Sequence, residues 1–251
     1  MASVARAPGA DWLAVHRSVW ARKSSVRSVY GRWFRLLRES CAPGEPVVEL
    51  GCGPGFFKEA YPDVLATDVV PNPHADRVID ATRLPFPDAG VASYVMLDVF
   101  HHLPDPETFL REVARTLRPG GRLVLLEPWT GLAGRLLYRW VHHEACDFDV
   151  PVAAPWSGDK DPMAGNVALP ALYFGPGGHL ERMRIGLGVV RREPFAAAPW
   201  VLSGGFQPIG VLPAGLVAFA ERVDRILSLA PGVTATRCLI VVERAASGRA
   251  A

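Results

Sequence analysis

A short apolar run, Val47-Val-Glu-Leu50, breaks directly into three glycines at alternate positions, Gly51, Gly53 and Gly55. Glycine has no Cβ, so a strand ending this way can turn sharply and bring its backbone close to a ligand. The chain that follows repeats one theme. Val64-Leu-Ala-Thr-Asp68, Arg77-Val-Ile-Asp80, 92–97 and 123–127 read as strands. A short helix, 56–61, is cut by Pro62, and a longer one, 106–117, carries Phe109, Val113 and Leu117 on one face. Strands alternating with helices at this spacing predict βαβ units and a parallel α/β sheet.

In open α/β sheets, ligands sit outside the carboxyl ends of the strands, and the glycine loop falls at such an end. A dinucleotide loop needs GxGxxG, but here Phe56 stands where the third glycine belongs. The phosphate-loop pattern GxxxxGK[ST] is absent as well. Glu49 would repel phosphate and suits an ammonium group, so a sulfonium amino acid fits better than a dinucleotide. Asp68, ending the second strand, suits a pair of ribose hydroxyls. Asp80, with Ala81, ends the third and suits the adenine amino group. Either carboxylate alone is an ordinary turn residue. The loop and two acids at successive strand ends together point to an adenosyl ligand with a cationic amino-acid arm.

Residues 46–128 resemble the class I S-adenosylmethionine-dependent methyltransferases of the type 11 branch. The resemblance rests on VVELGCGPG (47–55), the end of LATD (65–68), DATRLPF (80–86), DVFHHLPDP (98–106) and LRPGGRLVLLEP (117–128), in family order and spacing. It implies a Rossmann-like fold with a mostly parallel seven-stranded sheet, helices on both faces and a lid built from insertions. It implies that Glu49, Gly51, Cys52, Gly53 and Gly55 cradle the methionyl arm. Asp68 and Val69 would hold the ribose, Asp80 and Ala81 the adenine, and Leu97 and His102 would flank the cofactor. Two departures stand out: the helix shortened by Pro62, and Val91-Ala92 where the family has Phe-Asp. Neither touches a cofactor contact.

The rest of the chain reads as cover. Residues 11–39 form an amphipathic helix in a cap over 1–45, with Trp12, Val19, Trp33 and Leu37 on one face and seven basic residues on the other. That basic face is either solvated or meets phosphate or an anionic membrane surface. An insertion, 129–184, leaves from the carboxyl end of the fifth strand. A strand over 185–195, a loop over 199–212, a helix over 213–229 and a strand over 238–243 complete the region 185–251. The segment 196–236 leaves from the ligand face as well if the sixth strand is parallel. Trp129, Trp140, Trp156, Tyr173, Phe174, Trp200 and Phe206 lie in these insertions. They line a pocket for an apolar or ring-bearing substrate, or form the lid's own core.

An oxygen nucleophile gains from a base whose pKa lies near operating pH. His101, His102, His142, His143, Glu144 and Asp147 are the candidates, with His143, Glu144, His101 and His102 the catalytic assignment. His142, His143, Glu144 and Asp147 are sequence neighbours, which rarely converge on one ion. A hydrogen-bonded cluster closing the lid is therefore expected there, and no metal. The formal net charge of +2 is too small to mark a nucleic-acid binder. Leu97-Asp98-Val99-Phe100 stands where base-flipping enzymes carry Asn/Asp-Pro-Pro-Tyr/Phe. The four cysteines form no CxxC pair, no apolar leader opens the chain, and no run reaches the roughly 18 apolar residues of a membrane span. A reduced, cytoplasmic protein is expected. The reading is methyl transfer from S-adenosylmethionine to a small molecule, oxygen being the favoured acceptor. The resemblance of His142-His143-Glu144, Asp147, Gly165-Asn166 and Leu202-Ser-Gly-Gly205 to a subset of the family implies a secondary-metabolite or glycan type of substrate. The alternatives are a non-methylating enzyme on the same cofactor site, such as a cyclase, and a non-catalytic partner protein.

Overall fold

The computed structural model describes residues 12–140, 144–153, 164–207 and 212–246. Two helices open it, α1 (Trp12–Arg22) and α2 (Ser24–Ser40). The core then runs β1 (Val47–Leu50), α3 (Phe56–Ala60), β2 (Leu65–Asp68), β3 (Arg77–Val78), β4 (Val91–Leu97), α4 (Pro106–Thr116) and β5 (Leu117–Pro128). After it come α5 (Leu132–Trp140), α6 (Leu169–Phe174), α7 (His179–Met183), β6 (Leu187–Phe195), α8 (Ala198–Ser203), α9 (Val217–Leu227), α10 (Pro231–Thr234) and β7 (Arg237–Arg244).

The seven strands form one sheet in the order β3-β2-β1-β4-β5-β7-β6. The order reverses between β1 and β4, and that switch point is where an open α/β sheet offers its ligand crevice. Val48 lies opposite Leu65 on one side and Tyr94 on the other, both pairs parallel. β7 is antiparallel to both neighbours, so β6 runs parallel to β5. Residues 196–236 therefore leave the sheet from the same edge as the glycine loop. Within β5, Leu117 faces Val91 and Arg122 faces Ser93, and Arg118-Pro-Gly-Gly121 loops out between them.

Both sheet faces are covered. Phe109, Leu110 and Val113 of α4 pack on one with Tyr94, Met96 and Leu125. Val26, Val29, Trp33, Phe34 and Leu37 of α2 pack on the other with Val47, Val95 and Val124. Each large side chain so buried contributes roughly 1.5–3 kcal/mol.

Three expectations need correction. The helix expected over 11–39 is broken at Lys23, whose backbone is extended (φ −97°, ψ 94°). Its ammonium caps three carbonyls, those of Ser203, Gly205 and Gln207, at 3.0, 3.2 and 2.6 Å. The bend frees α1 to lie elsewhere than over the sheet. The loop expected over 199–212 begins with helix α8, because proline is at home in a first helical turn and glycine in the left-handed turn that ends one. Pro199 and Gly204 (φ +67°) hold those places. The third strand keeps only two of its four expected residues.

Candidate active site

Gly51, Gly53 and Gly55 all adopt left-handed backbone, at φ +73°, +50° and +79°. At Gly51 a Cβ would also lie 2.6 Å from Val99 Cγ2, so this turn excludes a side chain twice over. The loop is tied to β2. The Cys52 amide donates to the Thr67 carbonyl at 2.8 Å, and the Gly53 amide to Asp68 Oδ2 at 2.9 Å. The Thr67 hydroxyl donates to the Glu49 carbonyl at 2.7 Å.

Glu49 is only 6% exposed, and its Oε2 has no hydrogen-bond partner among the described residues. Burial, and then the charge of Asp68, push its carboxyl up to about 8, against the pull of Lys58. A buried acid with one unused oxygen beside a glycine turn suits a ligand bringing its own positive charge. These residues fit the aminoacyl arm of a sulfonium cofactor. Cys52 is no nucleophile, since burial and the charges of Glu49 and Asp68 raise its thiol to about 12. Asp80 is exposed, and its Oδ1 accepts from the Thr82 amide and hydroxyl, both at 2.8 Å. Val69 is half exposed, while Ala81 and Leu97 pack against the two sides of the core.

Helix α1 lies over the glycine loop. A Cβ on Gly53 would come 3.2 Å from the Trp12 ring. Arg17 donates to the Pro54 carbonyl and to Glu59, each at 2.7 Å. Trp20 stacks on Phe56 at 4.0 Å. His16 stacks on Phe206 at 4.2 Å, and Tyr30 meets Trp200 and Phe206 edge-on. The cap and the second insertion thus share an aromatic cluster. Tyr173 and Phe174 instead pack around Phe100 in the main core, and Trp140 is exposed. Trp156, His142 and His143 lie outside the described residues.

The remaining catalytic candidates converge, in a combination that sequence proximity did not suggest. Glu144 Oε2 lies 3.2 Å from His101 Nε2, and Glu144 Oε1 lies 3.6 Å from His102 Nε2. Asp147 belongs to a different device. Asn166 accepts from the Asp147 amide at 3.0 Å, donates to its carbonyl at 2.8 Å and accepts from the Ala168 amide at 3.1 Å. This clamp, with the Ala145–Asn166 bridge, holds Glu144 over the histidines. Gly165 permits the close approach, because a Cβ there would sit 2.9 Å from His101 and 3.0 Å from His102. Burial opposes a charge on His101, but Glu127 and Glu144 outweigh it and hold the ring up to about 10. Burial and the charge of His101 push His102 down to about 4.

Sequence reasoning passed over three neighbours. Glu127, fully buried at the carboxyl end of β5, accepts from the Val99 and Phe100 amides at 2.9 and 2.8 Å and pairs with His101 Nδ1 at 2.6 Å. Its signal was legible: like Glu49, it is an acid inside an apolar strand. Asp98, in left-handed backbone (φ +59°), pairs with the buried Arg237 that opens β7. Arg237 also lies over the rings of Trp33 and Trp200, at 5.4 and 5.8 Å. That pair joins residues 139 positions apart, and no local pattern announces it.

The family model described as a methyltransferase domain matches residues 48–125, the stretch holding the glycine loop, Asp68 and Asp80. The chain carries a class I, S-adenosylmethionine-dependent methyltransferase domain. Among similar proteins, 27-O-demethylrifamycin SV methyltransferase of Amycolatopsis mediterranei is 35% identical over 103 residues, 33% of this chain and 38% of that one. A probable S-adenosylmethionine-dependent methyltransferase of Mycolicibacterium smegmatis is 33% identical over 124 residues, 43% of this chain and 45% of that one. The chain spans less than half the length of these curated relatives. Geranyl diphosphate C-methyltransferase of Streptomyces coelicolor shares the fold, with a TM-score of 0.52 at 14% identity over 91% of this chain and 83% of that one. The match stops near the carboxyl end of β5, and β7 and β6 complete the same sheet beyond it. No helix among the described residues is long and apolar enough to cross a membrane.

Proposed function

We propose that this chain transfers the methyl group of S-adenosylmethionine to a small, apolar or ring-bearing acceptor, with a hydroxyl oxygen as nucleophile. The buried Glu49 carboxylate, with an oxygen unpartnered among the described residues beside the glycine loop, carries the reading. In it Glu49, Gly51, Cys52, Gly53 and Gly55 hold the methionyl arm. Asp68 and Val69 hold the ribose, Asp80 and Ala81 the adenine, and Leu97 and His102 flank the cofactor.

The cofactor supplies a methyl group already activated on a positive sulfur. The chain's work is then to align the acceptor and exclude water. Residues 1–45, 129–184 and 196–236 act as the lid over the core 46–128. The contacts of Trp12 and Arg17 with the glycine loop support that role for the N-terminal cap. Glu144, with His102 and His143 as further candidates, receives the acceptor's proton, and His101, held between Glu127 and Glu144, positions that carboxylate. The convergence of Glu144 on both imidazoles at the carboxyl end of β4 favours an acceptor that has a proton to lose. The name of the Amycolatopsis relative, a methyltransferase of a 27-O-demethyl compound, agrees with oxygen.

The test is calorimetric titration of S-adenosylmethionine and S-adenosylhomocysteine into the wild type and Asp68→Ala. Micromolar binding, about −8 kcal/mol, lost in the variant supports the reading. Acceptors are then scored by the gain of one methyl in product mass. A wild type that binds neither molecule overturns it.

A further inference from the structure

Glu144 meets two imidazoles whose other nitrogens are already committed. His102 Nδ1 lies 3.0 Å from the carbonyl oxygen of Ala164, and His101 Nδ1 lies 2.6 Å from Glu127 Oε2. A carbonyl oxygen and an ionised carboxylate oxygen only accept, so each Nδ1 carries a proton. Each Nε2 faces the same carboxylate, at 3.2 and 3.6 Å.

The three ligand atoms, one from each residue, lie within 4.8 Å of one another. Adjacent ligands about 2.1 Å from a cation, at tetrahedral or octahedral angles, stand roughly 3.0–3.4 Å apart. The two imidazole–carboxylate distances, 3.2 and 3.6 Å to the two oxygens of Glu144, are near that, and the set as a whole would contract a little around an ion. The supports are also those of a metal centre, where a ligating histidine donates its other N–H to a carboxylate or a backbone carbonyl, which fixes its tautomer and orientation. His101 has the first kind of partner and His102 the second. Gly165 and the Asn166 clamp deliver the carboxylate from the other side.

We infer that His101 Nε2, His102 Nε2 and a Glu144 carboxylate oxygen bind a first-row transition dication, with Glu127 orienting His101. Two imidazoles and one carboxylate are the donor set of such ions rather than of magnesium or calcium. Three ligands among the described residues leave a coordination position for a further group. There the ion would take the acceptor hydroxyl and lower its pKa. The O–H bond breaks, its proton passing to the Glu144 oxygen not bound to the ion. The freed oxygen pair forms the bond to the methyl carbon, and the sulfur keeps the pair of the broken S–CH3 bond. That role rests on the methyl-transfer reading; the binding of the ion does not.

The experiment uses the chain stripped with chelator and then titrated with Co2+ or Zn2+ alone. Visible absorption follows cobalt, and elemental analysis after dialysis follows zinc. Glu144→Gln, His102→Ala and the distant control His179→Ala are compared, each checked for folding by circular dichroism. The expected result is one equivalent bound by wild type and control, with cobalt bands characteristic of nitrogen and oxygen ligands. Affinity should fall at least about tenfold in Glu144→Gln and His102→Ala, and Glu144→Asp should restore part of it. Uptake that persists in both variants puts the ion elsewhere and overturns the inference. So does wild type that takes up neither ion. S-adenosylmethionine binding is titrated separately. Cofactor binding without metal overturns this inference alone, whereas metal binding without cofactor overturns the proposed function alone.

Discussion

Replacing Glu49 with glutamine should make the protein more stable and a worse binder. The carboxyl is 6% exposed, and burial with Asp68 moves its midpoint from the ordinary 4.5 to about 8. In the unfolded chain it titrates near 4.5, so below that pH both states are protonated and the group costs nothing. As pH rises above 4.5 the unfolded chain gains from ionisation while the fold does not. Stability is therefore lost progressively, and the loss levels off near pH 8. At pH 7 the penalty is about 3 kcal/mol, from 1.36 kcal/mol for each pH unit above the ordinary midpoint. Glutamine has the same shape and no charge. At pH 4 the variant and wild type should unfold at similar denaturant concentration. At pH 7 the variant should be more stable by about 3 kcal/mol, or roughly 6–12 °C in Tm for a chain of this size, and by about 5 kcal/mol where the loss levels off. The cationic cofactor reverses the sign. It needs the ionised acid, so wild-type affinity should climb with pH toward 8 with proton uptake by buffer, and glutamine should weaken binding about tenfold or more. Denaturant unfolding at both pH values, paired with calorimetry, measures the two effects. A variant no more stable than wild type at pH 8, or equal in cofactor affinity, would refute the reasoning.

Other expectations follow from the same geometry. Asp68→Ala removes the acceptor of the Gly53 amide and the proposed ribose ligand, so cofactor affinity should fall about tenfold to a hundredfold, as calorimetry would record. Arg237→Met leaves Asp98 without its partner and should cost about 3 kcal/mol in denaturant unfolding, much of it returned by adding Asp98→Asn. Asn166→Ala breaks three hydrogen bonds and should cost about 1–3 kcal/mol. Amide exchange should then speed in 144–150 while the β4 and β5 amides stay protected.

The core was largely legible because its signals are local. Val47 to Gly55 specifies a buried strand and a turn that side chains would block, and Asp68 ends β2, whereas Asp80 lies two residues beyond the end of β3. The break at Lys23 was hidden because it is driven by three carbonyls about 180 residues away. Helix α8 was misread because Pro199 and Gly204 punctuate helices as well as loops. Around the candidate bases, proximity in sequence was a poor guide. Glu144 pairs with His101 and His102 across more than 40 positions, while Asp147, three residues away, serves the Asn166 clamp.

By itself the sequence determined the class of fold and the glycine turn. Each of these depends on residues within a strand or a turn of one another. Tertiary structure alone decided which helix covers the loop, that Glu127 and Ala164 orient the two histidines, and that Asp98 meets Arg237. Those contacts join segments far apart in sequence, and nothing in a local pattern encodes a distance that only packing sets.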